Sequence, residues 1–225
     1  MRDLLQQSLT ASLFAQWSTL GTNVFGLVQS LSPKDLVLRS VLMIETFVQV
    51  VELAFYTWYS YHFRSVAEAT FYRYHDWVIT TPLMLFSTMV YYEYVNKPDE
   101  EVTIKSFLQE HWKTVLVVFA FNFMMLAFGY FYELGLLGLF SSQLFGFVGL
   151  IGSFTVIWTK FASKSPDNKW LFGFMSFVWF LYGIAAMFSS VWKNVSYNIL
   201  DVIAKNFYGL FLSYLIYQKS TNKVE

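Results

Sequence analysis

The 225 residues are 56% hydrophobic and 21% aromatic but only 13% charged, about half the roughly 25% charged fraction of an average soluble domain. Fifteen basic residues balance fifteen acidic ones and there is no cysteine, so the chain offers no basic field for nucleic acid, no disulfide framework and no thiolate chemistry. These proportions exclude an ordinary soluble enzyme and describe an all-α membrane protein.

A membrane-crossing helix needs about 20 mostly apolar residues. In chain order, such stretches are expected near 9–31, 36–62, 70–92, 114–133, 136–159, 170–190 and 195–217, with "SPKD", "NKPDEE" and "SKSPDNK" among the polar breaks. Only "ELG" at 133–135 divides the fourth from the fifth. No break is long enough for a soluble domain, so residues 1–225 read as a single seven-helix bundle with its ends on opposite sides of the membrane. With the N-terminus outside, the inner loops and tail hold Lys34, Arg39, Lys97, Lys105, Lys113, Lys160, Lys164, Lys169, Lys219 and Lys223, against Arg2, Arg64 and Lys193 outside. Basic residues favour the cytoplasmic side, so the expectation is N-terminus out and C-terminus in. No basic stretch precedes a short apolar run, so no cleavable signal peptide is expected and the first span directs insertion. The sequon "NVS" at 194–196 reads as a chance match, because its Asn falls almost within the membrane.

Two basic residues remain inside spans, Arg73 in "RYHDWVITTPL" and Lys205 in "LDVIAK". An ionisable group at mid-bilayer costs at least ~3 kcal/mol, so such groups usually face the bundle interior and carry function. Arg73, Asp76 and Thr80 share one helix face, and Asp201 lies one turn before Lys205. Two buried salt bridges are the plain structural reading, but buried pairs are weak stabilisers. A buried lysine is also suited to form a Schiff base with a carbonyl compound.

The second span adds "ETFVQVVELAFY", in which Glu45, Gln49, Glu52 and Tyr56 form one polar stripe along a helix. Carboxylates there suit a path for water and cations, or pairing across the interface to the first and seventh spans. Ser12, Gln16 and Asn206 are the expected partners. A hydrogen-bond network that only holds the helices together, or a subunit contact, are the structural alternatives. His62, His75 and His111 are scattered without metal-ligand spacing, and no metal ligand is assigned. His75 reads first as a packing or subunit-facing residue and second as a proton-coupled partner of Asp76, from which a helix rotates it by about 100°.

Taken together, "RYHDWVITTPL" and "LDVIAK" resemble the microbial (type 1) rhodopsins, seven-helix proteins that bind retinal as a Schiff base, and the resemblance covers essentially the whole chain. It implies all-trans retinal on Lys205, Asp76 and Asp201 as the counterion pair, and Arg73 on their extracellular side. It implies a retinal pocket of Trp77, Thr81, Asn122, Met125, Gly129, Trp179 and Tyr182. Gly183 stands where the family usually has a proline, and Ala186 where it usually has a tryptophan.

Outward proton pumps of the family place an acceptor, a threonine and a carboxylate donor at the positions held here by Asp76, Thr80 and Ser87. A serine cannot store a proton near neutral pH as a carboxylic acid can, and Lys193 stands where a pair of release glutamates would be. The Asp-Thr-Ser motif, the Glu-Gln-Glu stripe and "AKN" look most like the rhodopsins of giant viruses that infect marine protists, one branch of which comprises light-gated cation channels. Thr81 and Asn122 depart from the better-known algal channelrhodopsins, which have a cysteine and an acidic residue there.

The resemblance therefore implies a light-gated cation channel, with Ser12, Glu45, Gln49, Glu52 and Asn206 along the ion pathway. A light-driven outward proton pump is the alternative, and a photosensor signalling through a partner comes third. The expected partners are retinal, the lipid bilayer, transported cations or protons and further copies of the chain. No enzyme is expected, since no phosphate loop, metal cluster or nucleophile with its base is apparent.

Overall fold

The computed structural model describes residues 2–63 and 66–221, so Arg64 and Lys223, two of the charges counted for orientation, lie outside the described residues. The described chain forms seven long helices: α1 (Arg2–Leu27), α2 (Leu36–Tyr61), α3 (Val66–Asn96), α4 (Ile104–Glu133), α5 (Leu139–Lys160), α6 (Pro166–Ala185) and α7 (Ser190–Thr221). Within α7, Val202–Asn206 is a π turn. Short connections make sequential helices neighbours, and α7 closes the bundle by packing against α1, α2, α3 and α6. The helices alternate in direction, which leaves residue 2 and Thr221 at opposite ends, called here the N-terminal and C-terminal faces.

Helices α4, α5 and α7 are individually long and apolar enough to cross a membrane. The second helix shows how a more polar one is accommodated. Its buried residues recur at helical spacing and include Glu45, Gln49, Glu52 and Tyr56 as well as Val41 and Leu42. Its exposed Met43, Phe47 and Val50 look outward. The polar stripe therefore points inward, as cost in lipid demands.

Most helices overrun the expected spans because polar turns at either end continue the backbone ladder beyond the apolar stretch. Three ends fall short of the expected spans by more than the single residue by which α2 does. The first helix ends at Leu27 rather than 31. The fifth starts at Leu139 rather than 136, because α4 ends in a turn with Gly135 at φ +71°, where a left-handed backbone favours glycine. The sixth stops at Ala185 rather than 190, where Met187 and Phe188 fold back in a turn onto the carbonyls of Ile184 and Ala185. Apolar turns at a membrane surface are invisible to a count of apolar residues.

Close approach of α4 and α5 rests on glycine. A Cβ on Gly149 would stand 2.6 Å from the Phe121 carbonyl oxygen and 2.7 Å from the Met125 nitrogen, whereas one on Gly173 meets nothing within 4 Å. Gly149→Ala should force the two backbones apart and cost about 1–3 kcal/mol, read as a lower thermal midpoint. Gly173→Ala should leave the midpoint equal or higher.

Asp35 ties the α1–α2 connection to α3. Its carboxylate accepts hydrogen bonds from Ser32 and, at 2.6 Å, from the Tyr94 hydroxyl. Burial pushes its pKa up, but those bonds and the charges of Lys219 and Lys34 outweigh burial and hold it below its ordinary value of 3.8. A lowered carboxylate pKa stabilises the fold above the unfolded value, and this contribution is lost as pH falls through the folded one. Asp35→Asn should therefore lower stability at neutral pH and flatten its loss at acid pH below about 4, as followed by thermal unfolding across a pH series.

Candidate functional site

Arg73 is fully buried and is satisfied from two helices, α2 and α7. One guanidinium nitrogen donates to Asp201 at 3.0 Å and to the Tyr56 hydroxyl at 3.2 Å, and Nε donates to Asn194 at 3.1 Å. The remaining nitrogen donates to Asn198. The rings of Phe55, Tyr56, Tyr59 and Tyr197 surround the guanidinium carbon at 5.5 to 5.7 Å. Such a desolvated cation gains up to ~2 kcal/mol from a ring face.

One turn inward, Asp76 accepts a hydrogen bond from Lys205 Nζ at 2.9 Å. The same ammonium lies 3.3 Å from Glu52 and 3.6 Å from Asp201. Asp201 in turn accepts from the hydroxyls of Tyr56 and Tyr182, each at 2.7 Å. Two cations thus face three carboxyl groups, and the cluster is neutral when one of the three holds a proton. The π turn of α7 contains Lys205. Such turns widen the helix by one residue and recur at functional sites.

The ammonium of Lys205 borders a cavity enclosed by α3, α4, α5, α6 and α7. Its walls include Trp77, Thr81 and Met84 from α3, Met125 and Gly129 from α4, Gly146, Phe147 and Leu150 from α5, and Trp179, Tyr182 and Gly183 from α6. Apart from the lysine and a few hydroxyls and one amide, the lining is aromatic and aliphatic. A single amine at the charged edge of an apolar slot suits a long hydrophobic carbonyl compound.

The sequence profile of bacteriorhodopsin-like proteins matches residues 6–219. The chain belongs to this family, the microbial rhodopsins. Among solved structures, this rhodopsin superposes on the viral rhodopsin OLPVRII with a TM-score of 0.85 at 24% identity, covering 96% of this chain and 98% of that one. A thermophilic rhodopsin gives 0.71 at 16% identity, covering 99% and 96%. Xanthorhodopsin, described as a light-driven ion pump with dual chromophore, gives 0.68 at 18%, covering 99% and 95%. No curated protein matches the sequence. Family membership makes this an integral multi-pass membrane protein and a retinal-binding photoreceptor or transporter rather than an enzyme.

Of the residues expected in the pocket of this rhodopsin, Trp77, Thr81, Met125, Gly129, Trp179 and Tyr182 line the cavity with Lys205. Asn122 does not; it sits one layer behind, its amide donating to the Thr81 hydroxyl at 2.9 Å. Helical spacing identifies a face but not its depth. Tyr197, Phe147 and Gln143 are among the other lining residues and carry no distinguishing sequence signal. Thr80 donates back to the Asp76 carbonyl at 3.0 Å. His75 is exposed, with its ring against Phe71 and Tyr130, which fits the packing reading.

The stripe on α2 is met by different partners along its length. Glu45 accepts from Ser87 on α3, Gln49 donates to Gln16 on α1, Glu52 faces Lys205, and Tyr56 donates to Asp201. Gln16 is the partner expected. Ser12 is not part of this column: its hydroxyl donates to the Asn198 carbonyl at 2.9 Å, beside Arg73. Asn206 is buried, and neither its amide nitrogen nor its oxygen has a hydrogen-bond partner among the described residues.

Removing Asp201 would leave Arg73 short of its carboxylate and Tyr56 and Tyr182 without an acceptor. Breaking one side of a buried ion pair costs roughly 3–5 kcal/mol. Asp201→Ala should accordingly show a large drop in thermal midpoint, whereas Thr80→Val, which removes one local bond, should show a small one.

Proposed function

We propose that this rhodopsin is a light-gated cation channel, with all-trans retinal on Lys205, its N-terminus outside and its C-terminus inside. The observation that carries the reading is the polar column running between α1, α2, α3 and α7, from Asp201 through Glu52 and Gln49 to Glu45. A column of this kind is costly unless it is wetted, since an unpaired buried polar group costs about 1–3 kcal/mol. The unpartnered amide of Asn206 on α7 and the Asn23 amide nitrogen on α1, both buried on helices that border the column, supply groups that ordered water would satisfy. Carboxyl groups along a wet path select cations by charge. Orientation is supported by Lys34, Lys97, Lys164 and Lys219, which stand at the C-terminal face in the α1–α2, α3–α4 and α5–α6 connections and the end of α7.

Bound retinal supplies a light-driven isomerisation that displaces the charge at Lys205. The protein's part is to hold that charge and then let it move. Asp76, at 2.9 Å, is the nearest acceptor for a proton leaving Lys205 Nζ. Loss of that charge removes the cation that Asp76, Glu52 and Asp201 share. Arg73 stays fixed by two asparagines and four rings, so rearrangement falls on the side of Glu52 and the α2 stripe.

An outward proton pump is the second reading, and one contact favours it. Ser87 donates to Glu45, so the carboxyl group missing from α3 is returned to the same place by α2. Glu45 would then hold the proton that restores Lys205.

Voltage clamp of cells supplied with retinal separates the two. The channel reading expects a photocurrent that reverses near the cation equilibrium potential and a changed selectivity in Glu52→Gln. Outward current at every ordinary voltage, insensitive to replacement of Na⁺ and K⁺, would replace it with the pump. In either case Lys205→Ala should abolish visible absorption.

A further inference from the structure

We propose that Glu93, Glu110 and His111 form a binding site for a divalent transition-metal ion of the zinc type, joining α3 to α4 at the C-terminal face. The three residues are far from the Lys205 cluster and take no part in the proposed ion path. His111 Nε2 stands 3.3 Å from a Glu93 oxygen and 3.4 Å from a Glu110 oxygen. One ligand atom from each residue lies within 4.8 Å of the others. Bonds of about 2.0–2.1 Å place the ligand atoms of a tetrahedral ion roughly 3.3 to 3.4 Å apart, so both imidazole–carboxylate edges already have the length a metal would impose.

A second observation points into the same place. Glu93 is 2% exposed, and its Oε2 has no hydrogen-bond partner among the described residues. His111 Nε2 has none either, although both carboxylates are near, because neither is aligned to bond it. The imidazole is held by Phe107 and Phe161, with ring centroids at 5.1 and 5.0 Å. A buried carboxylate with Oε1 on Lys97 but Oε2 unpartnered, and a clamped imidazole nitrogen without a partner, offer two ligand atoms to an ion.

Lys97 fills the cation's role meanwhile. Its ammonium lies 2.9 Å from Glu93 and 2.9 Å from Glu110, with Glu100 at 3.8 Å. By position it competes with an ion for Glu93 Oε1 and for the Glu110 carboxylate. Metal binding must displace it. The ion then replaces a flexible side chain of α3 by a link between Glu93 on α3 and Glu110 and His111 on α4.

Zinc chloride titrated into the full chain in nanodiscs, carrying retinal and no polyhistidine tag, tests this by calorimetry and by thermal midpoint. Saturable binding at one site per chain and a raised midpoint are expected, with at least tenfold weaker binding in His111→Asn and in Glu110→Gln. Glu110 is more than half exposed, so its variant keeps the fold. Lys97→Met should bind zinc more tightly than the parent. Absence of binding to the parent, or equal binding by the parent and Glu110→Gln, would overturn the site; weaker binding by Lys97→Met would overturn the competition with Lys97.

Discussion

Two cations buried within a bilayer-spanning bundle impose the constraint on which the other contacts depend. Neither Arg73 nor Lys205 can be left unpaired in a medium where isolated charges are so costly. The carboxylates that answer them come from α2, α3 and α7, so the pairing fixes how these helices face one another. Hydroxyls of Tyr56 and Tyr182 then complete Asp201, bringing α6 into the same arrangement. The apolar cavity is a consequence: once four helices converge on the charges, α4 and α5 wall off the space beside Lys205.

How much of this was legible in the sequence depends on whether a contact lies along one helix or between two. Arg73, Asp76 and Thr80 share a face by spacing alone, and Asp201 precedes Lys205 by four residues, so the charged half-sites could be read directly. The inward direction of the α2 stripe could be read as well, because lipid rejects two carboxylates. Which group each stripe residue meets could not. Glu52 was expected along an ion path and lies 3.3 Å from Lys205; its height against α7 depends on helix tilt and on the π turn, which no periodicity reports. For the same reason nothing in the sequence marks Asn194, which reads only as a chance sequon, or Asn198 as the residues that hold Arg73. His111 lacked metal spacing in sequence because the carboxylate nearest it, Glu93, belongs to the preceding helix.

Ser87 illustrates how a neighbouring helix changes the surroundings of a single position. On α3 alone it is a lost donor carboxyl group. In the bundle its hydroxyl donates to Glu45, so a carboxyl group from α2 stands beside it. The proposed pump would use that acid, whereas the proposed channel would wet the column beside the unpartnered Asn206. The balance between them turns on whether water is continuous past Glu52, where Lys205 and Gln49 stand on either side.

The departures at Gly183 and Ala186 are resolved by the same logic of exchange between helices. A Cβ on Gly183 would lie 2.4 Å from the tip of the Phe147 ring. Phe147 from α5 therefore occupies the space that a larger residue on α6 would need, and it lines the cavity there. Phe147 from α5 thus contributes an aromatic wall to the cavity that Ala186 also lines, and glycine at 183 is what admits it. A proline or any other side chain at 183 would have to shift the Phe147 ring, so the residues at 183 and 147 are coupled through contact. Such coupling sets the shape of the slot far from Lys205, where only van der Waals contact and no charge holds a hydrophobic ligand in place.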